Sequence, residues 1–259
     1  MRSMDLDPQG HAARPEGRAG SAAPPAAAGR LWLVALGASA VLVGYGNLSS
    51  LAVGQPAPWS FLPAVGHPLL VGVALLWARA QAGLTWAALG LAPRGWGRSA
   101  LLGLGLGGLL ALAVGVLVLL ARAIQWGSTT AYPVPADSWA FAGLLLRLLL
   151  ATAVCEEVWF RGLLQACWVQ LLGPGRGIAV GATLFALWHL TIWAWTLERV
   201  VLTPPLPFAL VYPAGLAALA IAGLLFGWLR EASGHLAGPI VAHWAIDVWL
   251  VALVLGGWL

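Results

Sequence analysis

The residues of this sequence best placed to do chemistry lie in the stretch Cys155-Glu156-Glu157-Val158-Trp159-Phe160-Arg161-Gly162. It sets two carboxylates and a guanidinium within six residues, inside one of the most apolar runs of the chain. Ionisable groups at membrane depth are costly and mark functional sites. Glu157 and Arg161 are four residues apart, so on a helix they can pair on one face. Glu156 is turned about 100° from Glu157 and can point into the interior of a bundle. Low-dielectric surroundings favour the neutral form of a carboxylate, which suits it to take a proton from water. Partners follow later in the chain: His189 in Phe185-x-x-x-His189, and His243-x-x-x-Asp247, whose two side chains again share a helix face. A nearby histidine could polarise a carbonyl or hold the oxyanion that forms. Alternatively His189, His243, Glu156 and Asp247 are acceptable ligands for a divalent metal such as zinc. The residues alone leave both uses open, and a metal-free arrangement is preferred.

What must position these groups is a set of membrane helices. Hydrophobic residues make up 61% of the 259-residue chain and charged residues 8%, against about a quarter in soluble domains. At roughly 20 residues per span, this is an all-α, polytopic membrane helix bundle with short loops. All 13 basic residues are arginine, which with the abundant Ala, Gly, Leu and Pro suggests a GC-rich bacterial genome and hence the bacterial inner membrane. The positive balance does not imply nucleic acid, because arginine at loops serves membrane topology. Cys155 and Cys167 lie in the central apolar region and read as small packing residues rather than a disulfide framework.

Residues 1–30 are polar and Ala/Pro/Gly-rich, a disordered cytosolic tail; residues 31–259 form a single transmembrane domain. Spans are expected over Leu31–Val53, ended by Gln55-Pro56-Ala57-Pro58, and over Phe61–Ala78. An interfacial connector from Arg79 to Arg98 interleaves Trp86 and Trp96. The third span, Ala100–Ala121, carries Gly103, Gly107, Ala111 and Gly115, a stripe of small residues that lets another helix approach closely. After a polar loop with Pro133 and Pro135 comes Ser138–Leu172, a proline-free run too long for one upright span. Gly173-Pro174-Gly175 breaks it. Ile178–Leu197 is the fifth span, and the loop with Pro204, Pro205 and Pro207 precedes Phe208–Leu229. Pro239–Leu259 closes a count of about seven.

With the N-terminus inside, the inside segments hold every arginine from Arg2 to Arg98, together with Arg176 and Arg230. The outside segments hold only Arg122 and Arg199. That bias predicts N-in, C-out. It also places Glu156 past the middle of its span towards the cytosol. His189 falls about 11 residues, roughly 16 Å, into the next span, and His243 and Asp247 one and two turns into the last. Three helices thus bring Glu, His, His and Asp to the cytosolic half of the membrane. Other polar residues read blandly. His67 and His235 adjoin helix breaks and are expected at the interface, Arg147 meets a carboxylate or marks a wet cavity, and Trp159, Trp188 and Trp244 neighbour the motif residues and could wall the site.

Glu156-Glu157-x-x-x-Arg161, Phe185-x-x-x-His189 and His243-x-x-x-Asp247 together resemble the three motifs of the CPBP intramembrane proteases. That family includes the CAAX prenyl endopeptidase Rce1 and the bacterial Abi-type enzymes. The resemblance covers about residues 138–259, including Phe160-Arg161-Gly162 and Gly223-x-x-x-Gly227. It implies hydrolysis of a peptide bond in a membrane-associated protein or peptide, at a site opening to the cytosol. By position, Glu156 activates water, Glu157 supports it with Arg161, and His189, His243 and Asp247 bind and stabilise the oxyanion. The family often has Asn where this chain has Asp247, and Asp donates a hydrogen bond only when protonated. Two other classes fit less well. A non-catalytic immunity or scaffold protein of the same fold would tolerate change at the motifs. A proton-coupled transporter would show inverted repeats and a midplane site, whereas no repeat is visible and the polar set is offset.

Overall fold

The computed structural model describes residues 25–52, 65–123, 128–129, 137–201 and 208–255. Its helices are α1 (Pro25–Ser50), α2 (His67–Ala82), α3 (Trp96–Ala123), α4 (Ser138–Leu172), α5 (Pro174–Trp188), α6 (Leu190–Arg199), α7 (Phe208–Ser233) and α8 (Ala237–Leu255). Two-residue strands, β1 (Ser128–Thr129) and β2 (Val200–Val201), form one antiparallel pair. The bulk of the expected N-terminal tail, the Gln55–Pro58 break and the loop prolines 133, 135, 204, 205 and 207 lie outside the described residues.

Polarity is inverted relative to a water-soluble protein. Leu33, Leu36, Val73, Leu76, Leu101, Leu104, Leu109, Leu112 and Ile221 are exposed, while Glu156, Glu157, Arg161, Gln165 and His243 are buried. Apolar surface of that extent is stable only against hydrocarbon, and the helices satisfy their own backbone groups there. By length and composition α1, α3, α4 and α7 can each cross a membrane, and the bent pair α5–α6 raises the number to five. The chain is a multi-pass membrane protein.

Local chemistry sets the helix ends. Asp137 caps α4 by accepting a hydrogen bond from the Ala140 amide at 2.8 Å. Gly83, with φ of 65°, ends α2 and returns its N–H to the Arg79 carbonyl. Gly173, at φ 82°, turns the chain from α4 into α5, whose first residue is Pro174. α1 begins at Pro25, six residues before the expected span, because the Ala-rich start continues the helix.

The long proline-free run is indeed one helix, and it is central. Trp159, Phe160, Leu163, Leu164 and Cys167 of α4 pack with Val34, Ala35, Ala38 and Leu42 of α1 in the main core. Two stretches of α4, Leu148–Val154 and Val158–Leu164, are π-wound and flank Cys155–Glu157. An i→i+5 winding turns the side chains beyond it onto new faces, a feature frequent at functional sites. The small-residue stripe of α3 meets α8. A Cβ on Gly103 would collide with the Gly238 backbone, and one on Gly107 would lie 3.0 Å from Ala242 Cα. On the other side, a Cβ on Gly223 of α7 would come within 2.9 Å of Ala182 in α5. Glycine therefore sets the distance at which α8 and α5 stand from their neighbours.

The expected fifth span is bent: α5 and α6 meet at 45° with His189 at the break. His67, beside the start of α2, is covered by protein: it is 5% exposed and packs against Trp188 at a centroid distance of 5.0 Å. A histidine beside proline looks like a boundary in sequence, but the first turn of α2 is tucked against α4–α5.

Candidate active site

α4 presents the two glutamates in different directions. Glu157, 0% exposed, accepts hydrogen bonds at one oxygen from Arg161 Nη1 and His243 Nδ1, both at 2.8 Å. Its charge is matched within the helix by the i,i+4 guanidinium, and the Arg161 guanidinium also sits 4.4 Å from the Phe185 ring centroid and 5.1 Å from that of Phe226. Charged and buried, this pair is viable only because it is bonded and enclosed by aromatic faces.

Glu156 turns the other way. Its Oε2 lies 4.0 Å from His189 Nε2 and 4.0 Å from His243 Nε2, and among the described residues no group hydrogen-bonds it. These separations are too long for direct hydrogen bonds.

Both imidazoles are aimed by their other nitrogen. His189 Nδ1 lies 2.7 Å from the Phe185 carbonyl. A carbonyl can only accept, so Nδ1 carries the proton and Nε2 is directed at Glu156. His243 Nδ1 donates to Glu157 in the same manner, leaving its Nε2 between Glu156 and Asp247 Oδ2, the latter 3.8 Å away. Asp247 Oδ2 is likewise buried with no hydrogen-bond partner among the described residues. Glu157 thus orients His243, and Glu156 Oε2 faces the two imidazoles.

The structure brings together Glu156, Glu157, Arg161, His189, His243 and Asp247. Arg147 is exposed on α4 and stands apart from them. The walls differ from the expected tryptophans. Phe185 lies 4.6 Å from His189 and 6.0 Å from His243, and Phe226 stacks on His243 at 5.7 Å. Trp188 packs on His67, the Trp244 indole N–H donates to the Leu145 carbonyl, and Trp159 lines a groove between α1 and α2. Phe226 was readable in principle, since it directly precedes Gly227 on the helix that the glycine stripe draws against α5. Cys155 and Cys167 are free and buried.

Residues 138–249 match the family described as type II CAAX prenyl endopeptidase Rce1-like. They form an Rce1-like domain. This is consistent with a CPBP family protease, and at the family level it supports an intramembrane CAAX-type protease. No curated protein and no solved structure matches the chain. All six residues above fall within the Rce1-like domain, and α1 to α3 lie before it.

The donor types around Glu156 are those a zinc site would use. As placed they do not fit one. Neighbouring ligands of tetrahedral zinc stand about 3.3 Å apart, whereas the separations here are 3.8 to 4.0 Å. Among the described residues no group of three or more His, Cys, Asp or Glu is arranged to hold a metal ion.

Proposed function

We propose that this protein is an intramembrane endopeptidase that cleaves a peptide bond of a membrane-associated protein or peptide with a water activated by Glu156. The proposal rests on Glu156 Oε2, which has no hydrogen-bond partner among the described residues and faces two imidazole nitrogens at the same distance, 4.0 Å. Glu156 takes a proton from water held between it and His189 as the oxygen adds to the scissile carbonyl. His243, aimed by Glu157 and Arg161, stabilises the oxyanion by donating from its Nε2 when that nitrogen carries a proton. Protonated Glu156 then delivers the proton to the leaving amine.

The site opens to the cytosol in this reading. Trp32 of α1 packs on Trp168 near the end of α4, Ser99 bonds Ser233, and Arg230 donates to the Ala88 carbonyl. Those contacts gather Arg30, Arg94, Arg98, Arg176 and Arg230 at one end of the bundle, which the positive-inside bias assigns to the cytosol.

The test is cleavage of a membrane-peptide library by purified wild type, Glu156→Ala and His243→Ala, with bound metal measured in the same samples. Wild type should cleave and both variants should not. An inert wild type, with both variants retaining the biological phenotype, would return the protein to the scaffold or immunity class. Equimolar, tightly held zinc would replace the metal-free mechanism.

A further inference from the structure

His189 sits where a membrane helix breaks, and a break leaves backbone groups that hydrocarbon cannot satisfy. In an unbroken helix the Thr191 N–H would bond the Leu187 carbonyl. At the 45° bend between α5 and α6 both groups go instead to Asn47 of α1. Asn47 Nδ2 donates to the Leu187 carbonyl at 2.9 Å, and its Oδ1 accepts from the Thr191 amide at 2.9 Å and the Thr191 hydroxyl at 2.8 Å. The remaining amide proton goes to the Val43 carbonyl at 2.9 Å. A carboxamide has two donor hydrogens and two acceptor sites, and all four are used.

We infer that Asn47 is a positioning residue for His189, its carboxamide spliced into the helix in place of the missing peptide hydrogen bond. His189 adopts φ −91° and ψ 2° at the break, a sparsely populated conformation that persists only when the surroundings impose it. Asn47 supplies that restraint from either side: it fixes the carbonyl two residues before His189 and the amide two residues after. The Tyr212 hydroxyl, donating to the Leu190 carbonyl at 3.0 Å, secures the same corner from α7. The consequence is the ring direction. With the corner held, Nδ1 reaches the Phe185 carbonyl and Nε2 faces Glu156. Asn47 lies outside the Rce1-like domain, so the first helix would complete a site whose other parts are all within it.

The kinetic consequence rests on the peptidase reading; the structural one does not. Spin labels at Ala179 and Thr196 report the angle between α5 and α6 in the full-length protein. Asn47→Leu should shift or broaden their distance distribution. It should also lower kcat about 10- to 100-fold with KM little changed, as a misplaced catalytic group does. Combined with His189→Ala it should cause no further loss. An unchanged distribution, or a kcat loss that multiplies with that of His189→Ala, overturns the assignment. Should Asn47→Leu fail to fold, Thr191→Val removes only the hydroxyl bond and should show smaller changes of the same kind; wild-type behaviour in both measurements would overturn it equally. A wild type inert towards peptides removes the peptidase reading, while the label distances still decide the splice.

Discussion

Glu156 and Glu157 are adjacent in the chain and opposite in circumstance. Glu157 is wholly enclosed, with Arg161 and His243 bonded to one oxygen at 2.8 Å. Glu156 faces its histidines across 4.0 Å gaps, and its Oε2 has no hydrogen-bond partner among the described residues. A carboxylate whose attractions are satisfied can hold other groups in place; one left unsatisfied is the candidate to act in the proposed reaction. The contrast shows how two neighbouring positions of a helix, about 100° apart, put adjacent carboxylates into different surroundings.

Substitutions can break that contrast in a definite order. Glu156→Gln should reduce cleavage by about 10²- to 10⁴-fold, the range for losing a general base, while the unfolding midpoint stays near wild type because no protein hydrogen bond to Oε2 is lost. Glu157→Gln should show the reverse emphasis. Leaving Arg161 buried without its counter-charge should cost about 3–5 kcal/mol, read as a lower thermal midpoint, with activity falling alongside. If both variants lost stability equally, the division of roles would fail. Gly107→Leu should cost about 1–3 kcal/mol by pushing α8 off α3, and should weaken activity by displacing His243 from Glu157; the thermal midpoint and kcat check it together. Asp247→Asn should have the smallest effect, with kcat within about tenfold of wild type, since an amide can replace the carboxyl beside His243 Nε2 and donates without needing protonation.

Much of the site was legible because its spacing is local. Glu157 with Arg161, Phe185 with His189, and His243 with Asp247 are each four residues apart, so a helix alone brings each pair onto one face. The glycines of α3 and α7 were legible as packing stripes, though not the helices they would meet. The break at His189 was not. Nothing in Leu187–Thr191 is a glycine or proline, and the bend is sustained by Asn47, 140 residues before Leu187. The burial of His67 was hidden for a related reason: its proline neighbour marks a helix start, but whether a start is exposed depends on what packs over it.

By itself the sequence determined the medium, the all-helical class, the residues of the constellation and the pairing of neighbours one turn apart. These follow from hydropathy and helical periodicity, which act within a few residues. Tertiary structure decided that Glu157 rather than Glu156 binds His243, that phenylalanines rather than tryptophans wall the histidines, and that the first helix supplies the missing bond at His189. Each of those outcomes depends on distances between helices far apart in the chain, and such distances are fixed only when the helices pack.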